Sequence, residues 1–167
     1  MDTLLTSGGP RPELAARLEL FAPLIGTWSL VVENTAADGT VQVTDGEWEF
    51  FWALDGRAVI DVWASPGPAS RTAADTDGEW GMTVRFFDPK IDAYRSTWHG
   101  PARGWVIPFI LTRTEDGFGL VGDRDGTALR WVFSDIASDS FRWRAEETEP
   151  GAPEPFVRQR FAASRLS

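Results

Sequence analysis

The sequence predicts an all-β protein, a ten-stranded antiparallel up-and-down barrel preceded by one short helix. Three observations lead there. Asp-Gly pairs recur at 38–39, 45–46, 55–56, 77–78, 116–117 and 125–126, the dipeptide of tight hairpin turns. Between them large apolar residues alternate with polar ones, the period of a strand with one buried face. The nine tryptophans, part of a 13% aromatic content, all fall in these alternating runs and need an enclosure. Antiparallel strands in chain order favour closure into a barrel, because closure removes unpaired edges; a sandwich is the runner-up.

At 167 residues the chain suits a single domain, with a helix at about 12–24 and a barrel at about 26–165. In "RPELAARLELFAPL", Leu14, Leu18, Phe21 and Leu24 stand at helical spacing. In "LIGTWSL" the period changes: Gly26 ends the helix and turns the chain into the first strand, and Trp28 plugs the closed end of the barrel. Strands follow at roughly 27–34, 40–54 (broken or bulged near Asp45-Gly46), 57–64, 79–88, 92–99, 104–113, 117–122, 127–135, 139–148 and 155–165. The last strand brings Arg165 back to Trp28, where its guanidinium stacks on the indole.

Alternation sorts the faces. Trp28, Leu30 and Val32 share one, as do Trp48, Phe50, Trp52 and Leu54; Trp80, Met82, Val84 and Phe86; Leu129, Trp131 and Phe133; and Phe141 with Trp143. These are assigned to the interior. Tight turns gather at one end, near 55–56, 89–91, 114–116 and 136–138. The other end carries 34–39, 65–79, 100–103, 123–126 and 149–154, an open mouth with residues 65–79 as a mobile flap.

"GTW" on a first strand, with an arginine late in the last, resembles the calycin signature of lipocalins and fatty-acid-binding proteins. "WALDGRAV", "VRFFDPKIDAYRSTW" and "FRWRAEETEPGAPEPFVRQRFAASR", with the N-terminal helix and "LIGTW", are similar to a bacterial calycin-like family and cover most of the chain. That resemblance implies a barrel with an internal ligand cavity and assigns no reaction. A more distant likeness is to nitrobindin, a barrel that binds haem through a late histidine. Residues 155–167 contain no histidine, and "GTWSLVV" lacks that branch's further glycines, so haem is not implied.

Composition narrows function. A formal net charge of −9 repels phosphate backbones, which argues against nucleic-acid partners. With no cysteine and one histidine, neither a disulfide framework nor a transition-metal centre is expected, and no cofactor is predicted. The first twenty residues carry no apolar run, so the expectation is a cytosolic protein with no membrane partner. Phosphate-loop, GxSxG, HExxH and EF-hand patterns are missing.

The aromatics Trp52, Trp80, Tyr94, Trp98, Trp105, Trp131 and Trp143 are candidate ligand contacts, with Gly26, Trp28 and Arg165 as the structural signature. His99, Tyr94 and Glu147 are the candidates for proton transfer. His99 has a competing reading as an outward-facing residue, since Tyr94, Ser96 and Trp98 form the more apolar alternate; Glu147 has one as a solvated strand end. Asp61 and Asp135 also lie within strands, where an inward carboxylate must be paired or functional. Arg85, Arg95, Arg130, Arg142 and Arg144 should face outward to surface acids. An inverted strand would instead bring Arg85 or Arg95 inside to hold an anionic group.

Three functions compete: binding of a small, largely apolar, aromatic or polyketide-like molecule; an isomerase or cyclase acting on such a molecule; and a structural or interaction protein with a filled barrel. Phe51, Val59, Trp63 and Phe87, on the opposite phase from the assigned interior, predict an outer patch and a homodimer.

Overall fold

A computed structural model describes residues 4–76 and 78–167; Asp77, from one of the expected turn pairs, lies outside the described residues. Residues 12–24 form one helical segment, a single α-helical turn (α1, Ala15–Leu18) between two 3-10 stretches. Pro23 stands in the second stretch. Ten strands follow: β1 (Gly26–Thr35), β2 (Val41–Ala53), β3 (Ala58–Ser65), β4 (Glu79–Asp88), β5 (Ala93–Gly100), β6 (Trp105–Thr114), β7 (Gly117–Arg124), β8 (Thr127–Ser134), β9 (Ser140–Thr148) and β10 (Phe156–Arg165). Each pairs with its sequence neighbours, and β1 pairs with β10 to close an antiparallel barrel. This architecture fits a calycin-like barrel. Among the described residues no helix is long and apolar enough to cross a membrane.

The helical segment closes one end. Leu18, Phe21 and Leu24 are fully buried against the lower barrel, where Phe21 meets Tyr94 and Phe118 edge-on, each at 5.6 Å. Gly26 has φ +125°, and a Cβ there would lie 2.4 Å from the Ser167 carbonyl oxygen, so only glycine fits this close return of the chain's end. Trp28 is fully buried, and its Nε1 donates to the Leu24 carbonyl at 2.7 Å. The Arg165 guanidinium lies 4.1 Å over the Trp28 ring and donates to the carbonyls of Pro23, Ile25 and Ser138. One arginine thus satisfies carbonyls left open at the helix end while covering the plug.

The break expected in β2 is absent. Asp45 and Gly46 run on in register, pairing with Val31 and Leu30. Residues 41–46 lie above the part of β2 that pairs with β3, which starts at Glu47. The irregularity falls in β10 instead, between Val157 and Gln159.

The inward phase is as expected in β1, β8 and β9 and opposite to expectation in β4. Register decides it: Trp48 stands opposite Trp63, Phe50 opposite Asp61, Trp63 opposite Gly81 and Asp61 opposite Thr83. The inward residues of β3 and β4 are therefore Val59, Asp61, Trp63 and Ser65, and Glu79, Gly81, Thr83, Arg85 and Phe87. Trp80, Met82, Val84 and Phe86 point outward; Trp80 is 49% and Phe86 41% exposed. The expected four-residue outer patch does not exist as one face. Val59 and Trp63 are buried in the lumen, and Phe87 faces in to meet Tyr94 at 5.4 Å, leaving only Phe51 on the outer phase.

Candidate functional site

The inward phase of β3 and β4 brings together a buried ion pair. Asp61 is wholly buried, and its Oδ1 accepts a hydrogen bond from Trp48 Nε1 at 2.6 Å. Its Oδ2 pairs with Nη1 of Arg85, which is also buried and sits diagonally across the β3–β4 ladder. The guanidinium lies beside both Phe50 and Phe133, 5.8 and 5.7 Å from the ring centres. Burial pushes Arg85 down to about 9, and the adjacent carboxylate opposes that loss of charge. Arg85 was expected outside; inside, Asp61 pairs its charge and the two rings lie beside it, while its buried Nε has no hydrogen-bond partner.

Directly toward the mouth from Trp48 lies a closed circuit of five rings. Trp63 meets Trp98 at 6.1 Å, Trp98 meets Trp131 at 6.1 Å, Trp131 meets Trp143 at 5.4 Å, Trp143 stacks on Phe161 at 4.3 Å, and Phe161 stacks on Trp63 at 5.6 Å. Glycines make room for it. A Cβ on Gly81 would lie 2.3 Å from the Trp98 ring and one on Gly100 2.7 Å from its nitrogen, so Trp98 rests flat on the β4–β5 backbone. Phe109 lies on Gly122 in the same way, with 2.7 Å to a Cβ there. Two indole nitrogens inside the barrel, Trp63 Nε1 and Trp143 Nε1, are buried and have no hydrogen-bond partner.

The mouth above this layer is polar. Glu147 faces in and is buried, its Oε1 3.2 Å from Arg124 and its Oε2 3.4 Å from Arg158. Glu79, also inward and buried, accepts from the Ala102 amide at 3.2 Å and lies 3.7 Å from Arg103 Nε. Trp105 stands at the rim with Arg103 and Arg124 over its ring, at 5.4 and 4.5 Å. Asp45 pins the expected flap, its carboxylate accepting from Gly67 N and Ser70 Oγ.

The sequence-predicted residues do not converge on one point. Trp98, Trp131 and Trp143 share the aromatic layer, with Trp105 above it. Trp52 and Tyr94 lie toward the closed end, the Tyr94 hydroxyl donating to the Arg17 carbonyl. Trp80 and Arg95 are on the outer wall, Trp80 under Arg71 and Arg95 paired with Asp88 at 2.6 Å, because they flank inward-facing neighbours. His99 also faces outward, between Met82 and Val106, with Nδ1 buried and without a partner. The three candidates for proton transfer therefore occupy three separate places. Missed by the face assignment were Trp63, Glu79 and Arg85. Glycines within strands at 81 and 100, and an acid in the apolar run "AVIDVWAS", were the signals that pointed to them.

Among the described residues no group of three His, Asp or Glu side chains is arranged to hold a metal. Two open concavities, of about 530 and 570 Å³, lie by the flap (Val31, Val43, Asp45, Ser70) and beside the helical segment (Leu20, Pro23, Phe118, Ile136). Neither is lined by the aromatic layer.

No family model matches the chain, and no curated protein matches it by sequence. Among solved structures it is similar to an S-type phycobiliprotein lyase from Guillardia theta, with 11% identity and a TM-score of 0.57 over 89% of this chain and 92% of that one. At that identity the likeness is one of fold.

Proposed function

We propose that the protein binds a small, largely apolar molecule at the open end of the barrel, seated on the mouth side of the aromatic layer. The observation that carries this is the pair of unpartnered indole donors, Trp63 Nε1 and Trp143 Nε1, each buried inside the barrel. A buried donor without an acceptor is destabilising by about 1 to 3 kcal/mol, and interiors rarely leave two of them in one layer. A ligand oxygen or nitrogen would satisfy them, and the surrounding rings would supply stacking. Native mass spectrometry of protein purified from its own host should show an added small-molecule mass that Trp143→Ala loses. A ligand-free spectrum from the host, with no quenching of tryptophan emission by a diverse aromatic library, would contradict the reading.

A second reading, a filled structural barrel, has its own support. Below the aromatic layer Trp48, Phe50, Phe133 and Phe141 meet ring to ring at 4.8 to 6.4 Å, and the two described concavities lie elsewhere. The same experiment separates the two. Catalysis by His99, Tyr94 and Glu147 together has no assembled geometry behind it.

A further inference from the structure

Resting on the binding reading above, we propose a ligand class: a flat conjugated molecule that carries both a hydrogen-bond acceptor and an N–H donor, not a carboxylate. The acceptor is required by the two unpartnered indole donors of Trp63 and Trp143. A donor is suited to Glu79, whose buried Oε2 accepts no hydrogen bond and has Arg103 Nε at 3.7 Å, beyond hydrogen-bond distance, while Oε1 holds the Ala102 amide.

Trp63 and Glu79 lie on one stretch of wall, with Trp143 reached from Trp63 through the Phe161 ring. Ser65 pairs with Glu79 and Trp63 with Gly81, so the Trp63 indole is one inward-facing row below the Glu79 carboxylate. Both Glu79 Oε2 and the Trp98 nitrogen approach the bare face of Gly100, at 3.2 and 2.7 Å from where a Cβ would stand. Flatness follows from the rings: Trp63, Phe161 and Trp143 stack nearly parallel, with interplanar angles of 19° and 12°, and a flat conjugated ring is the shape that would extend such a stack. A carboxylated ligand is disfavoured because the rim arginines already face protein acids. Arg124 and Arg158 both pair with Glu147, and Arg103 lies against Glu79. An added anion would meet those two carboxylates in a low-dielectric mouth.

Four three-ring probes of nearly one shape test this by quenching of tryptophan emission: acridone, with a carbonyl and an N–H; N-methylacridone, which keeps only the carbonyl; anthracene, with neither; and 9-anthracenecarboxylate. The expected order is acridone tightest, N-methylacridone about tenfold weaker, anthracene weaker again and the carboxylate weakest. Glu79→Leu should bring acridone down to the level of N-methylacridone and leave the latter unchanged. Trp63→Phe should weaken both and leave anthracene as it was. Equal binding of all four would leave the binding reading standing and overturn the ligand class, as would tightest binding of the carboxylate. Failure of every probe to bind would overturn the binding reading and this inference with it.

Discussion

The wall made by β8, β9, β10 and β1 and the wall made by β3 and β4 solve the same packing problem in opposite ways. In the first, Leu129, Trp131, Phe133, Phe141, Trp143 and Trp28 face the lumen and arginines face water, with Arg130 and Arg144 both on Glu146. In the second, Asp61, Thr83 and Arg85 face the lumen, and Trp80, Met82, Val84 and Phe86 face out. Alternation therefore identifies a strand without fixing which phase is inside. Phase belongs to the register with the neighbouring strands, and a charged pair can hold the inner face once each member supplies the other's partner.

The largest effect is expected from breaking the Asp61–Arg85 pair. Asp61→Ala leaves a buried guanidinium uncompensated and should destabilise by about 3 to 5 kcal/mol in chemical denaturation. Asp61→Asn with Arg85→Met keeps an acceptor for Trp48 and should recover most of that loss. A double variant no more stable than Asp61→Ala would mean that the pair is not what holds this wall. On the conventional side Trp28→Ala should be destabilising by a similar amount, about 3 to 5 kcal/mol, as a large truncation at the closed end. A nearly unchanged melting temperature would remove Trp28 from its role as plug.

The next contrast sets one tryptophan from each wall side by side. Trp143 is 5% exposed and Trp80 49%. Trp143→Ala should again be destabilising by about 3 kcal/mol or more, whereas Trp80→Ser should stay within about 1 kcal/mol of wild type. Equal losses would return Trp80 to the interior.

The smallest effect is electrostatic. Partial burial alone would raise the Glu146 carboxyl, but hydrogen bonds from Arg144 and Arg130 outweigh it and hold the group below its ordinary 4.5. Its ion pairs therefore contribute stability that is complete above the unfolded value and is lost as pH falls through the lower folded one. Urea midpoints at neutral and acid pH should show a smaller acid loss in Arg144→Gln than in wild type. Parallel losses would show that the pairing contributes nothing measurable.

Strand positions were legible in the sequence because Asp-Gly turns and period-two alternation are local signals. All ten strands fall within about two residues of where they were expected. The mouth loops followed from strand direction alone. Faces were legible only where apolar residues agreed with the fold. In β4 the more apolar phase, Trp80, Met82, Val84 and Phe86, is the outer one, so hydrophobicity pointed the wrong way. Arg85 looked like a surface arginine because its partner sits on another strand, at a register no single strand reveals. Trp63 was lost to the aromatic layer for the same reason, and the outer patch was lost with it.

The inward phase of β3 and β4 puts Trp63 into the layer at the mouth and Trp80 outside it. Fluorine NMR of fluorotryptophan-labelled protein, with each resonance assigned by single Trp→Phe substitutions, tests this directly. On addition of acridone the resonances of Trp63, Trp98, Trp131 and Trp143 should shift together, while those of Trp80 and Trp28 stay in place. Movement of Trp80 with the layer, or a Trp63 resonance as open to solvent as that of Trp80, would place Trp80 inside and Trp63 outside the barrel.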